Sequence, residues 1–402
     1  MFSFLAFVFI LQIAHAGATP WSLGAWANTT SYPTNVSSQS CSISDSYIYC
    51  VGGFNGTAIT RATYFAQITP SGIGNWTQTT PYPIYVADGS CTTYQNHIYC
   101  VGGASVDDTV LDASFFAPIS ASGIGNWTRT SVYPIQVAKQ SCIAYGGNIY
   151  CIGGSNSYSY SSAVYVAGLN SSGISRWSAT VPYPININSE SCVVNDTYLY
   201  CVGGIGGSDS SFYTASSYYT RLTGFGVSQW FSTTQYPNIT SGQSCAASNG
   251  NIYCTGGYRA NLAANYTATY TPTTYYASLS PSGIGSWMPT TNYPYPFDTA
   301  SCNSYNDNIY CVGGAYYNII TNISSTAPVM NPNLPTSTTA TATTITQVSN
   351  GNSTPTTTVA VQQQPTQGNG LAYLIILFLV ILILLMVLAL LLFNRSRPKN
   401  KR

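Results

Sequence analysis

Residues 22–329 repeat one pattern of apolar and polar positions six times. In the first copy it marks four strand-sized pieces. Gln39-Ser40-Cys41-Ser42-Ile43 is followed by Tyr47-Ile48-Tyr49-Cys50-Val51, which ends on Gly52-Gly53. The third piece is Thr63-Tyr64-Phe65-Ala66-Gln67-Ile68, and the fourth runs from near Trp76 to a Tyr-Pro pair. Tyrosine is abundant in these runs and favours strands. A four-stranded unit of about 50 residues is the signature of a propeller blade. The expectation is an all-β chain in which six such units close into a six-bladed β-propeller over residues 17–330.

The markers keep one order throughout. The first cysteines are Cys41, Cys91, Cys142, Cys192, Cys245 and Cys302, spaced by 50, 51, 50, 53 and 57 residues. The chain opens with Trp26 and a Tyr-Pro, which is a fourth piece without the other three, and it ends with a unit that lacks a fourth piece. The N-terminal strand is therefore expected to complete the last blade and remove an open sheet edge.

All twelve cysteines fall in Cys-x8-Cys pairs. Folding the first two pieces as a hairpin puts Asp45-Ser46, Gln95-Asn96, Gly146-Gly147, Asp196-Thr197, Asn249-Gly250 and Asn306-Asp307 in two-residue loops, and most of these have the chemistry such loops prefer. Cys41 then faces Cys50 in a non-hydrogen-bonded pair with Cα atoms about 4.5 Å apart, within disulfide reach. The same register pairs Cys91–Cys100, Cys142–Cys151, Cys192–Cys201, Cys245–Cys254 and Cys302–Cys311. Zinc sites need closer cysteines or histidines, and His97 is the single histidine after the leader.

Gly-Gly after an apolar strand, an aromatic residue in the third piece and a Trp about 23–30 residues beyond the glycines resemble the kelch repeat, across nearly the whole of residues 17–330. With its paired cysteines and few charges, the chain is similar to kelch-type surface proteins of microbes, archaea among them. The resemblance implies that the segments entering each first cysteine strand and the loops after each glycine pair share one face around a central channel. The entering segments carry Asp88, Lys139, Glu190, Gln243 and Asp298. The loops carry Arg61, Asp107, Asp108, Asp209 and Arg259, with Tyr158, Tyr160, Tyr213, Tyr258 and Tyr316. Tyrosines with a few charges suit contact with a protein or glycan.

Two apolar runs flank the repeats. Residues 2–13 with Ala14-His15-Ala16 read as a signal peptide, 1–16, cleaved after Ala16. Leu371 to Phe393 is 23 apolar residues, enough to span a bilayer as a helix. Residues 394–402 hold five of the eleven Lys/Arg and no acid, which places the C-terminus in the cytoplasm and the repeats outside. The expected protein is a single-pass cell-membrane protein. Residues 331–370, rich in Thr, Pro and Gln, read as an extended stalk. Exposed Asn-x-Ser/Thr sites expected to carry glycans are Asn28, Asn35, Asn55, Asn170, Asn195, Asn238, Asn265, Asn322 and Asn352.

Charged residues make up 5% of the chain, against about 25% in ordinary domains. Six Lys/Arg and ten Asp/Glu precede the apolar run, so a basic nucleic-acid footprint is missing. Few carboxylates also predict tolerance of low pH. Glu190 is the only glutamate, whereas glycosidases work with paired carboxylates. A galactose-oxidase-like copper centre needs two histidines. On these grounds the sequence is read as a non-enzymatic binding or adhesion module without cofactor. The alternatives are a structural envelope component and a carbohydrate-active enzyme.

Overall fold

The computed structural model describes residues 21–207, 212–261, 267–317 and 319–331. The leader, the stalk beyond residue 331, the apolar run and the basic tail lie outside the described residues, as do Asp209, Asn265 and Asn352. What is described is all-β, with one 3-10 turn at Val106–Asp108 and no α-helix among the described residues. Also among the described residues, no helix is long and apolar enough to cross a membrane.

Six antiparallel sheets of five strands follow one another along the chain. In the first, Ser40–Ser44 pairs with Tyr47–Val51, which pairs with Thr63–Thr69. Thr63–Thr69 then takes two separate strands, Gly72–Ile73 and Thr77–Gln78. The expected four-stranded unit is corrected here, because the outer strand is broken in two. Gly72, at φ 112°, turns the chain back, and Trp76 leaves the sheet to donate its indole N–H to the Thr30 carbonyl at 3.1 Å.

The register opposes Cys41 and Cys50, with Asp45-Ser46 as the two-residue loop. All six near-neighbour pairs are bridged, with Cα–Cα distances of 4.0–4.1 Å. The second strand of each sheet is buried on both faces; Ile48, Ile98, Ile149, Leu199 and Ile252 have no exposure. It ends on a glycine pair for a steric reason. Gly52 and Gly53 both have positive φ, and a Cβ on Gly52 would collide with the Val86 carbonyl.

Neighbouring sheets lock through one repeated contact. Each Tyr of a Tyr-Pro pair is buried and meets the Trp of the next sheet edge-on, with ring centroids 4.8–5.0 Å apart. Such pairs contribute about 0.5–1.5 kcal/mol beyond area burial. The pair Trp26–Tyr293 joins the first described residues to the fifth sheet's connection. Ser22–Leu23 and Ala27–Asn28 both pair with Ser324–Met330, so the N-terminal strands complete the sixth sheet. The innermost strands are linked in the same sense. Cys91 N–H donates to Ser40 Oγ, Cys142 to Ser90, Cys245 to Ser191, Cys302 to Ser244, and Cys41 back to Ser301, at 2.8–3.0 Å.

Candidate functional site

The segments entering the innermost strands meet at one mouth of the central channel. Ser38, Asp88, Lys139, Ser189, Gly242 and Thr299 hold the same place in the six sheets, and all six have φ between 53° and 65°. Their backbones form a closed circuit. Asp88 N–H donates to the Ser38 carbonyl (2.9 Å), Lys139 to Asp88 (2.8 Å), Ser189 to Lys139 (2.9 Å), Gly242 to Ser189 (3.2 Å), Thr299 to Gly242 (2.9 Å) and Ser38 to Thr299 (3.1 Å). The left-handed conformation costs five non-glycine residues of the ring local strain, and the circuit of hydrogen bonds holds them in it. One backbone scaffold thus displays six positions bearing Ser, Asp, Lys, Ser, Gly and Thr.

The mouth encloses about 150 Å³. Lys139 Nζ lies 4.0 Å from Asp88 Oδ2, a partly exposed pair worth little on its own. Burial pushes the Asp298 carboxyl up to about 6, and the nearby Asp88 charge adds to this. The Thr299 hydroxyl, the Asp298 backbone N–H and Lys139 pull the other way. Beyond the mouth, a polar channel of about 710 Å³ runs between the innermost strands.

Two expected face residues, Glu190 and Gln243, border the mouth with Asp88 and Lys139 but are far more buried. Gln243 is 4% exposed and Glu190 6%. Gln39, Gln140 and Gln243 each donate an amide N–H to the last carbonyl of the preceding sheet's second strand: Val312, Val101 and Val202, at 2.6–2.7 Å. Glu190 occupies the same position in the fourth sheet. A Cβ on Gly153 would meet Glu190 Oε1 at 2.8 Å, just as one on Gly102 or Gly313 would meet the Gln140 or Gln39 Nε2. Neither Glu190 carboxyl oxygen has a hydrogen-bond partner of good geometry. Burial lifts this carboxyl to about 8, with the nearby Glu190 and Ser141 backbone N–H groups offsetting only part of the effect.

The loops after the glycine pairs flank the mouth. The Arg61 guanidinium stands 5.9 Å over the Tyr85 ring. Asp107 is exposed in the 3-10 turn with φ 59°, and the Asp108 backbone follows it. Arg259 is exposed on a hairpin formed by Tyr258–Asn261 and Thr267–Tyr270. Tyr258 meets Tyr213 edge-on and Tyr270 at a tilt, and Tyr270 meets Tyr317 at a tilt. Tyr158 stands almost fully exposed. Sequence reasoning missed Tyr270, whose role depends on the hairpin bringing it back beside Tyr258. Of the expected glycan sites, Asn28, Asn35, Asn55 and Asn170 are exposed, whereas Asn195, Asn238 and Asn322 are half-buried. Among the described residues no three His, Cys, Asp or Glu gather to hold a metal.

These sheets and their shared mouth define a protein of the β-propeller type. No family model matches the chain, and no curated protein matches it. Among solved structures it is similar to the one titled "Structure of YjhT", at 13% identity and a TM-score of 0.61, covering 73% of this chain and 95% of that one. At that identity the likeness shows the fold. It also overturns the expectation that the chain is not an enzyme. Propeller frames of this type carry catalysis as well as binding, so scarce histidine and glutamate do not exclude chemistry here.

Proposed function

We propose that this chain is a cell-surface recognition protein, whose six sheets are the blades of a kelch-like propeller of the microbial surface type. On this proposal residues 1–16 direct export, 331–370 form a stalk, 371–393 anchor the chain in the cell membrane, and 394–402 lie in the cytoplasm. Protein or glycan ligands bind at the channel mouth and its flanking loops, and exposed Asn sites carry glycans.

One observation supports this most strongly. The mouth repeats a left-handed backbone conformation six times while its side chains differ at every step except Ser38 and Ser189. A purely structural ring gains nothing from replacing serine by Asp88 and Lys139 at adjacent positions. Recognition does, because diverse groups on a rigid frame bind without an ordering cost.

The test is binding of the full-length chain to a glycan array and to extracellular protein extracts, beside an Asp88→Ala/Lys139→Ala variant. The expected result is a defined ligand whose affinity falls at least tenfold in the variant, with the melting temperature unchanged. Self-assembly of the chain with no soluble ligand in either screen would favour an envelope component and overturn the reading.

A further inference from the structure

The interval from Cys245 to Cys302 is the longest between successive first cysteines. Part of it follows Gly256-Gly257, where Tyr258–Asn261 and Thr267–Tyr270 pair over four residues with Tyr258 opposite Tyr270, a lengthened form of the two-residue pairing or single bridge found at this place in the other sheets. The hairpin borders a cleft of about 260 Å³ against the segment Tyr236–Thr240. That is below the ~300–1,000 Å³ of drug-sized pockets, so the cleft suits a compact ligand.

Its lining points to a particular chemistry. Tyr258 and Tyr270, with ring centroids 5.0 Å apart, supply an aromatic wall. Thr240 borders the cleft only 3% exposed, and its Oγ1 has no hydrogen-bond partner. That oxygen lies over the Gly257 backbone; a buried hydroxyl left unpaired is destabilising, and a ligand hydroxyl would relieve it. Asn238 Nδ2 donates to Tyr275 Oη at 3.2 Å. Among the described residues that line it, the cleft has no carboxylate; hydroxyl, amide and aromatic groups dominate, and Arg259 is the one charged residue. A polyhydroxylated ring with one C–H face matches this set: the face packs on tyrosine and the hydroxyls meet Thr240 and Asn238.

We propose that this cleft is a subsite for a single neutral sugar ring, the fifth sheet's contribution to glycan binding. The assignment rests on the recognition reading and sharpens it. It also bears on Asn238-Ile239-Thr240, which the sequence offers as a glycan acceptor. Here the amide is engaged with Tyr275, and the sugar arrives from another molecule.

Saturation-transfer NMR on the full-length chain tests this, with the methyl glycosides of glucose, galactose, mannose and N-acetylglucosamine as probes. At least one is expected to show transfer to its ring protons. That signal should fall at least tenfold in Tyr270→Ala and in Thr240→Val, and persist in Lys139→Ala. Tyr270 lies at the end of the half-exposed hairpin, so its variant keeps the test open if Thr240→Val fails to fold. Four silent glycosides, a signal surviving in Tyr270→Ala, or a glycan found covalently on Asn238 would each overturn the proposal. If array binding is lost in Asp88→Ala/Lys139→Ala while all four glycosides stay silent, the mouth reading stands and the cleft assignment alone falls.

Discussion

Glu190 stands where three other sheets carry glutamine, and only a protonated carboxyl can repeat the glutamine hydrogen bond. The equivalent acceptor is the Ile152 carbonyl, directly before Gly153. Burial raises the carboxyl from its ordinary 4.5 to about 8, and no cation pairs with it among the described residues. Tyr133 and Tyr183, the ionisable groups felt nearby, are themselves pushed far up by burial. Between these two values the folded chain holds a proton that the unfolded chain has lost. The stabilisation is complete below about pH 4.5 and is lost as pH rises toward 8. At about 1.4 kcal/mol per pH unit this amounts to about 5 kcal/mol. Asp298 acts in the same direction between 3.8 and about 6. The low-pH tolerance expected from composition thus becomes a preference for acid. Glu190→Gln supplies an amide donor at every pH. At pH 8 it should raise the melting temperature by roughly 10 °C, taking about 2 °C per kcal/mol for a domain of this size, and at pH 4.5 it should change little. Fluorescence-detected melts of both proteins from pH 4 to 8.5 measure this. A wild-type melting temperature that is flat or highest at pH 8, or a Glu190→Gln slope equal to the wild-type slope, would refute the reasoning.

Three further outcomes are expected. Trp177→Ala removes an edge-on contact with Tyr133 and an indole hydrogen bond to the Ser131 carbonyl; denaturant melts should show a loss of about 3–5 kcal/mol, and a loss under 1 kcal/mol would mean that the inter-sheet lock carries little weight. Replacing Cys142 and Cys151 together by serine should cost about 2–3 kcal/mol, since the bridge closes a loop of about ten residues, and near-native circular dichroism should persist. A chain ending at residue 370 should move from the membrane fraction to the medium, and unchanged fractionation would count against anchoring by 371–393.

Much of the fold is legible because its signals are local. A Cys-x8-Cys pair around a two-residue loop leaves one hairpin register, and the order of Trp26 and Tyr-Pro at one end against Cys302–Cys311 at the other implies closure. The site is less legible because one residue decides between rim and wall. Both Lys139 and Gln140 border the mouth, but Lys139 is exposed while Gln140, its neighbour, is buried and bonds to the Val101 carbonyl. The left-handed residue before each innermost strand breaks the two-residue alternation that would have told them apart. The broken outer strand is hidden for a similar reason, since the Trp that interrupts it meets the Tyr and a backbone carbonyl of the preceding connection, contacts far away in sequence. The cleft had a visible trace in the 57-residue interval, but the pairing of Tyr258 with Tyr270 depends on a turn-back after the glycine pair that is a bridge or two-residue pairing in the other sheets and four residues long here.

The closed frame beneath the mouth is tested most directly by hydrogen exchange of six backbone amides, those of Ser38, Asp88, Lys139, Ser189, Gly242 and Thr299. The circuit predicts that all six are protected and exchange together, only when the whole ring opens. Free exchange at any one of them, at the rate of an exposed loop, would contradict a closed ring.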